Sequence, residues 1–294
     1  MKISRTHLFV LLVLPALWPG QSFAADPAVP QFKEELSKQQ QIYQSRGEQT
    51  PEGYVIDRSL LSYAHTLPPA FDGSLAKLEA KDRWLDIGAG RGQAIIDYFE
   101  LRYDRMHYDG QERTGRKAQA VGMSIEDRRL PAWHEKAATL KPNQIQYFFG
   151  KTLREYSPAE LGKFQVITDV LGGFSYTTDI ALFMEKVLGL LDLNGNFFAV
   201  LQDVHAEDGR NKPYYEGASF LTEITNPAGE QVKLCSWLKS IACVKVTCEF
   251  KAGWKPPIEA YHIQKVCNEV KVPGLLPTHF QAGTPPERKF KLKN

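Results

Sequence analysis

The stretch Trp84-Leu85-Asp86-Ile87-Gly88-Ala89-Gly90-Arg91-Gly92 decides how this chain is read. Trp84–Ile87 is a short apolar run with one acid in it. Glycines then follow at three alternate positions, where backbone can approach a ligand with no side chain between. A helix expected over Gln93–Phe99 puts Ile95, Ile96 and Phe99 on one face. Glycines alone mark many turns, but the order strand, acid, glycine loop, helix is more specific. The dinucleotide fingerprint G-x-G-x-x-G needs a glycine where Gln93 stands. A nucleotide-type pocket of different spacing, an NAD site and a plain structural loop are the three readings at this point. The spacing favours the first.

Outward from that loop, apolar strand-like runs and helical patterns alternate. Strands are expected over Asp82–Ile87, Ala118–Ser124, Ile145–Phe149, Phe164–Val170 and Asn196–Gln202. Helices are expected over Arg91–Leu101, over Glu126–Leu140 despite Pro131, and from a cap at Thr177 or Thr178 to a stop at Asn194-Gly195. Such alternation implies a parallel sheet with helices on both faces, and the runs are apolar throughout, as doubly buried strands should be. Arg102–Lys117 and Asp203–Tyr215 read as polar irregular stretches. Ser219–Thr225 and Leu234–Ile241 read as helical. Val244–Phe250 and Ala260–Val266 read as a hairpin around Gly253–Pro257. The basic tail from Pro273 reads as mobile.

Before the first strand, Gln31–Arg46 has the composition of a solvated helix, Thr50–Gly53 turns the chain, and Leu60–Ala64 reads as a helix ended by Leu67-Pro68-Pro69. Met1–Ala24 has the form of a secretory leader: Lys2 and Arg5, the apolar run Leu8–Trp18, then small residues at Ser22 and Ala24. The run is shorter than the roughly 20 residues a membrane span needs. The chain of 294 residues has a formal charge of +2; losing Lys2 and Arg5 leaves 2 − 2 = 0, which speaks against nucleic acid held by a basic surface. Four cysteines, Cys235, Cys243, Cys248 and Cys267, are an even number suited to an oxidising compartment. Cys248 and Cys267 could face each other across the hairpin; four free thiols is the other reading. No spacing among them points to a metal site. The expected organisation is a leader at 1–24, a helical cap or linker at 25–80, the sheet domain at 81–270 and a flexible basic tail at 271–294.

The motif D-x-G-x-G-x-G at Asp86–Gly92 resembles motif I of the class I S-adenosylmethionine (SAM)-dependent methyltransferases, and the terminal hairpin fits the same family. The resemblance implies an α/β, Rossmann-like three-layer sandwich, its mostly parallel seven-stranded sheet ending in an antiparallel hairpin. It implies SAM as cofactor, with Asp86 holding the amino end of the methionine moiety directly or through water. Gly88, Ala89 and Gly90 would bring backbone to it, and Gly92 would serve packing or the turn. Asp169 and Leu171 would lie by the sulfonium. The family's ribose-binding acid at the end of the second strand is replaced by Ser124, with Glu126 able to reach round. The acid near adenine is absent, Gly150 being followed by Lys151. On the acceptor side, Tyr176 and His205 are the candidate catalytic residues, with Asp203, Tyr214 and Tyr215 nearby in sequence. Asp169 is followed by Val-Leu-Gly-Gly rather than Pro-Pro-Tyr, which disfavours nucleobase or glutamine amines and favours a small-molecule acceptor. A leader implies an exported protein, periplasmic or secreted, and raises the alternative of a non-enzymatic relative that binds another ligand or partner.

Overall fold

The computed structural model describes residues 58–100, 116–201, 221–253, 258–278, 280–281 and 287–293. The expected leader, the Gln31–Arg46 helix, the Thr50–Gly53 turn, most of Arg102–Lys117, all of Asp203–Ser219 and most of the Gly253–Pro257 turn lie outside them.

The first five strands are β1 (Arg83–Ile87), β2 (Gln119–Met123), β3 (Ile145–Phe148), β4 (Phe164–Val170) and β5 (Leu191–Leu201). After them come β6 (Leu221–Thr225), β7 (Gln231–Val232), β8 (Val244–Lys251) and β9 (Ile258–Lys265). Three short segments close the chain: β10 (Leu275–Leu276), β11 (Phe280–Gln281) and β12 (Glu287–Leu292). The helices are α1 (Leu60–Thr66), α2 (Ala70–Ala76), α3 (Gln93–Glu100), α4 (Pro131–Thr139), α5 (Pro158–Leu161), α6 (Gly173–Tyr176), α7 (Ile180–Leu190) and α8 (Leu234–Lys239).

Seven strands form one sheet in the order β3-β2-β1-β4-β5-β9-β8. The first five are parallel, while β9 runs antiparallel to β5 and β8 antiparallel to β9. Successive side chains leave a strand on opposite faces. Leu85 and Ile87 therefore join a core with α7 and Trp237 of α8, while Trp84 joins the core with α1, α3 and Trp133 of α4. The fold is the expected three-layer α/β sandwich. Strand order reverses at β1, whose next strand in the chain lies on one side and β4 on the other. Asp86 is level with Gly122 and Thr168, and Ile87 with Met123 and Asp169. The loops after β1, β2 and β4 consequently leave the same edge at the same height.

Several boundaries differ from expectation. Helix α4 starts at Pro131, not Glu126, because proline suits the first turn, where no amide partner is needed. Helix α7 starts at Ile180, capped by the Asp179 side chain on the Leu182 amide at 3.0 Å, and the short α6 precedes it. The chain passes from α7 straight into β5 at Leu191; Asn194 takes a left-handed φ of 64° inside the strand, where the register with β4 shifts. Of the helix expected over Ser219–Thr225, the described part, Leu221–Thr225, is strand β6, in keeping with β-branched Thr222, Ile224 and Thr225.

The largest correction concerns the tail. Strand β12 pairs in parallel with β6 and antiparallel with β10 and β11, forming a second sheet. Residues 271–294 are thus not a flexible tail over their described part. Arg288 and Phe290 point inward, at 0% and 1% exposure, while Lys289 and Lys291 point out. The cysteines pair as Cys235–Cys248, tying α8 to β8, and Cys243–Cys267, closing the base of the hairpin, with Cα separations of 6.2 and 5.0 Å. The alternative of Cys248 with Cys267 is overturned by register: Cys248 stands opposite Tyr261. No helix among the described residues is long and apolar enough to cross a membrane.

Candidate functional site

A cleft opens at the carboxyl edge of β1, β2 and β4. Gly88, Gly90 and Gly92 all have positive φ, at 75°, 56° and 82°. This conformation is cheap for glycine and costly for other residues. The amides of Gly88 and Ala89 both donate to the Met123 carbonyl at 2.9 Å, and the Tyr147 hydroxyl donates to the Gly90 carbonyl at 2.5 Å. A Cβ on Gly88 would lie 2.7 Å from the Gly172 Cα, so the first glycine lets the β1 and β4 loops touch. A Cβ on Gly92 would lie 2.4 Å from the Trp133 ring, so the third glycine serves packing against α4, as expected.

Two buried carboxylates support this edge from within. Asp86 is fully buried and accepts from the Tyr63 hydroxyl at 3.0 and 3.1 Å and from the Thr168 hydroxyl at 2.7 Å. Asp169 accepts from the Gly172 and Phe174 amides, each at 2.8 Å. Burial pushes both acids up to about 7, against the pull of these donors. Neither carboxylate forms part of the cleft wall. Asp86, expected to hold the amino end of the methionine moiety directly or through water, has its oxygens engaged by the hydroxyls of Tyr63 of α1 and Thr168 of β4.

The cleft itself is lined by Gly88, Gly90, Ser124, Glu126, Leu171 and Tyr176, all singled out in the sequence. Leu171 adopts a φ of 58°, strained for a residue with a side chain, directly after β4. Tyr176 is on the wall though only 6% exposed. Ala89 is buried beneath the loop and contributes its amide to β2 rather than to the cleft. Glu126 lies in a loop, ion-paired with Arg128, and not at a helix start. His205, Asp203, Tyr214 and Tyr215 lie outside the described residues. Sequence reasoning missed Arg58, Arg128 and the run Lys151–Arg154, which also line the cleft. Lys151 pairs with Glu160 at 2.9 Å. A signal existed for Lys151, where an acid was expected and a cation stood; for Arg58 the signal was only the helical cap or linker expected at 25–80, which names no residue. Among the described residues, three potential ligand atoms of Cys235, Cys248 and Glu259 cluster, but both cysteines are in a disulfide.

No family model and no curated protein matches the chain. Solved structures do. An N-methyltransferase, NodS, from Bradyrhizobium japonicum WM9 in complex with S-adenosyl-L-homocysteine (SAH) is similar at 10% identity and a TM-score of 0.43, covering 76% of this chain and 98% of that one. An rRNA methylase from Streptococcus thermophilus gives 10% and 0.38, covering 72% and 100%. An O-methyltransferase family protein from Burkholderia thailandensis gives 12% and 0.40, covering 71% and 58%. At such identities and TM-scores these likenesses say nothing about what this chain binds or does. The strand order and the glycine loop stand on their own geometry.

Proposed function

We propose that the chain is a SAM-dependent methyltransferase acting on a small-molecule acceptor. The observation that carries this reading is a D-x-G-x-G-x-G loop lining a cleft at the reversal point of an open parallel sheet, where such sheets bind ligands. The residues fit SAM in one half. Backbone at Gly88 and Gly90 lies beside the strained Leu171 and Gly172-Gly173 along one wall of the cleft, a surface suited to the methionine moiety. Ser124 and Glu126 are the groups offered to the ribose hydroxyls. Asp86 acts one layer back, holding Tyr63 and Thr168 and through them the edges of α1 and β4. Asp169 shapes the wall near the sulfonium through the Gly172 and Phe174 amides.

SAM would supply a methyl group already activated by its sulfonium. What falls to the protein is alignment of acceptor, methyl and sulfur, and exclusion of water. Tyr176 lines the cleft and would orient the acceptor; His205 would take a proton if the acceptor arrives protonated. Export through the leader, to a periplasmic or extracellular destination, is part of the proposal. The two disulfides support it, since such bonds persist in oxidising compartments. No nucleic-acid partner is proposed, in view of the zero mature charge.

A second reading is favoured by the wall of Arg128, Lys151 and Arg154 around Ser124. SAM presents a neutral ribose there, and SAM is made in the cytosol. A non-enzymatic exported relative that binds another, anionic ligand would suit both facts. Calorimetry on the mature protein with SAM, SAH and NAD decides. Micromolar binding of SAH supports the methyltransferase; the absence of both heat and thermal shift with either adenosyl compound sinks it.

A further inference from the structure

We propose that Arg288, on the last strand, is a positioning residue for the cleft: it and Asp169 hold the α6 turn between them and so set the β4 wall. Helix α6 has four residues, too few to stand alone. Its start is fixed by the Asp169 carboxylate on the Gly172 and Phe174 amides at 2.8 Å. Its end is fixed by the Arg288 guanidinium, whose Nη1 donates to the Phe174 carbonyl at 3.0 Å and to the Thr177 carbonyl at 2.9 Å. Arg288 Nε in turn donates to the Thr222 hydroxyl of β6 at 2.8 Å, which fixes the direction of the planar group. Alongside, the Thr278 amide donates to the Thr178 carbonyl at 2.9 Å. Gly172, Gly173, Tyr176 and Thr177 all line the cleft.

Arginine suits this place for a chemical reason. Two carbonyls on one turn and a hydroxyl on another strand need several donors in a fixed plane, and guanidinium provides them. Its charge also faces Asp169 and opposes the effect of burial on that acid. A buried arginine is expensive unless hydrogen-bonded, so loss of the turn would leave it stranded. The second sheet thereby becomes part of the binding apparatus rather than an ornament at the end of the chain.

The inference takes from the proposed function only that this cleft binds the ligand. The test compares Arg288→Met, Arg288→Lys and Phe290→Ala in the full mature chain. Phe290→Ala removes apolar packing from the same strand, including the ring over which the Arg288 guanidinium lies at 5.6 Å, but none of the hydrogen bonds to the turn. Two readouts are taken well below melting: SAH affinity by calorimetry and hydrogen exchange of amides 171–178. Expected are at least a tenfold loss of SAH affinity and at least tenfold faster exchange of the Gly172 and Phe174 amides in Arg288→Met. Arg288→Lys should restore part of both, and Phe290→Ala should leave both within threefold of wild type while lowering the melting temperature. Equal effects of Arg288→Met and Phe290→Ala on these readouts would overturn the positioning role. If Arg288→Met fails to fold, Arg288→Lys against Phe290→Ala decides by the same criterion. Should the wild type not bind SAH at all, the methyltransferase reading falls, and the exchange data alone still settle Arg288.

Discussion

On the β1–β4 side of the cleft the ligand would meet backbone: Gly88, Leu171, Gly172 and Gly173, with Asp86, Asp169, Tyr63 and Arg288 buried behind them. On the β2–β3 side it would meet side chains: Ser124, Glu126, Arg128, Lys151 and Arg154, several of them partly exposed and paired with other charges. The first wall is a matter of fit, with a loop-to-loop contact that one methyl group would violate. The second is a matter of charge, screened by solvent and adjustable. On the proposed function, placement and selection of the ligand would fall to different walls. Substitutions of equal size should have very unequal effects on them.

The strongest test of that asymmetry is Gly88→Ala. The new Cβ meets Gly172 at 2.7 Å and takes a left-handed φ. Backbone strain of about 1–3 kcal/mol and overpacking of about 1–3 kcal/mol together predict a loss of about 2–6 kcal/mol. Urea denaturation measures it, and a loss under about 1 kcal/mol would show that the two loops can separate freely. Next comes Asp86→Asn, read through pH. The wild-type carboxyl rises from its ordinary 3.8 to about 7 when folded, so the folded chain binds the extra proton. That contribution to stability is full below the unfolded value and is lost as pH climbs through about 7. The wild type should therefore be less stable at pH 8 than at pH 5 by this route, and Asp86→Asn should narrow the gap. Asp169, raised in the same way, keeps the gap from closing entirely. Equal losses in variant and wild type would refute the assignment of a buried proton to Asp86. The smallest effect belongs to the other wall. Glu126→Gln removes the pair with Arg128, whose acid is 39% exposed, and should change stability by less than about 1 kcal/mol. SAH affinity should fall about threefold to tenfold, roughly 1 kcal/mol, if Glu126 meets the ribose. A stability loss matching that of Gly88→Ala would abolish the contrast between the walls.

The same division decides what can be read from sequence. Backbone-built features announce themselves, because glycine at Gly88, Gly90 and Gly92 and the largely apolar β4, Phe164–Val170, have few other uses. The central five strands are readable for that reason. The tail is not, because Arg288-Lys289-Phe290-Lys291-Leu292-Lys293 reads as a charge run first. Its two-residue alternation carries meaning only once β6 is known to be a strand, and the β6 segment on its own reads as helical. Disulfide pairing depends on hairpin register, which puts Tyr261 opposite Cys248 and cannot be counted off along the chain. The seclusion of Asp86 depends on Tyr63, which comes from a segment readable as a cap by its place before β1, though nothing in it singles out Tyr63 as the partner of Asp86. Side-chain walls such as Arg58 and Arg154 assemble from distant segments and carry no spacing signature at all.

The bonds between Arg288 and the α6 turn join residues 114 and 111 apart in the chain. Contacts of such long range form late, because closing the intervening loop costs entropy before any contact returns it. The β1–β4 half of the sheet can assemble from the first part of the chain as it emerges, yet its ligand wall waits for residues 287–292. During synthesis, and during any passage through a membrane pore, the protein would carry a nearly finished fold with an unfinished mouth. On the proposed role of Arg288, ligand binding would be timed by the arrival of β12.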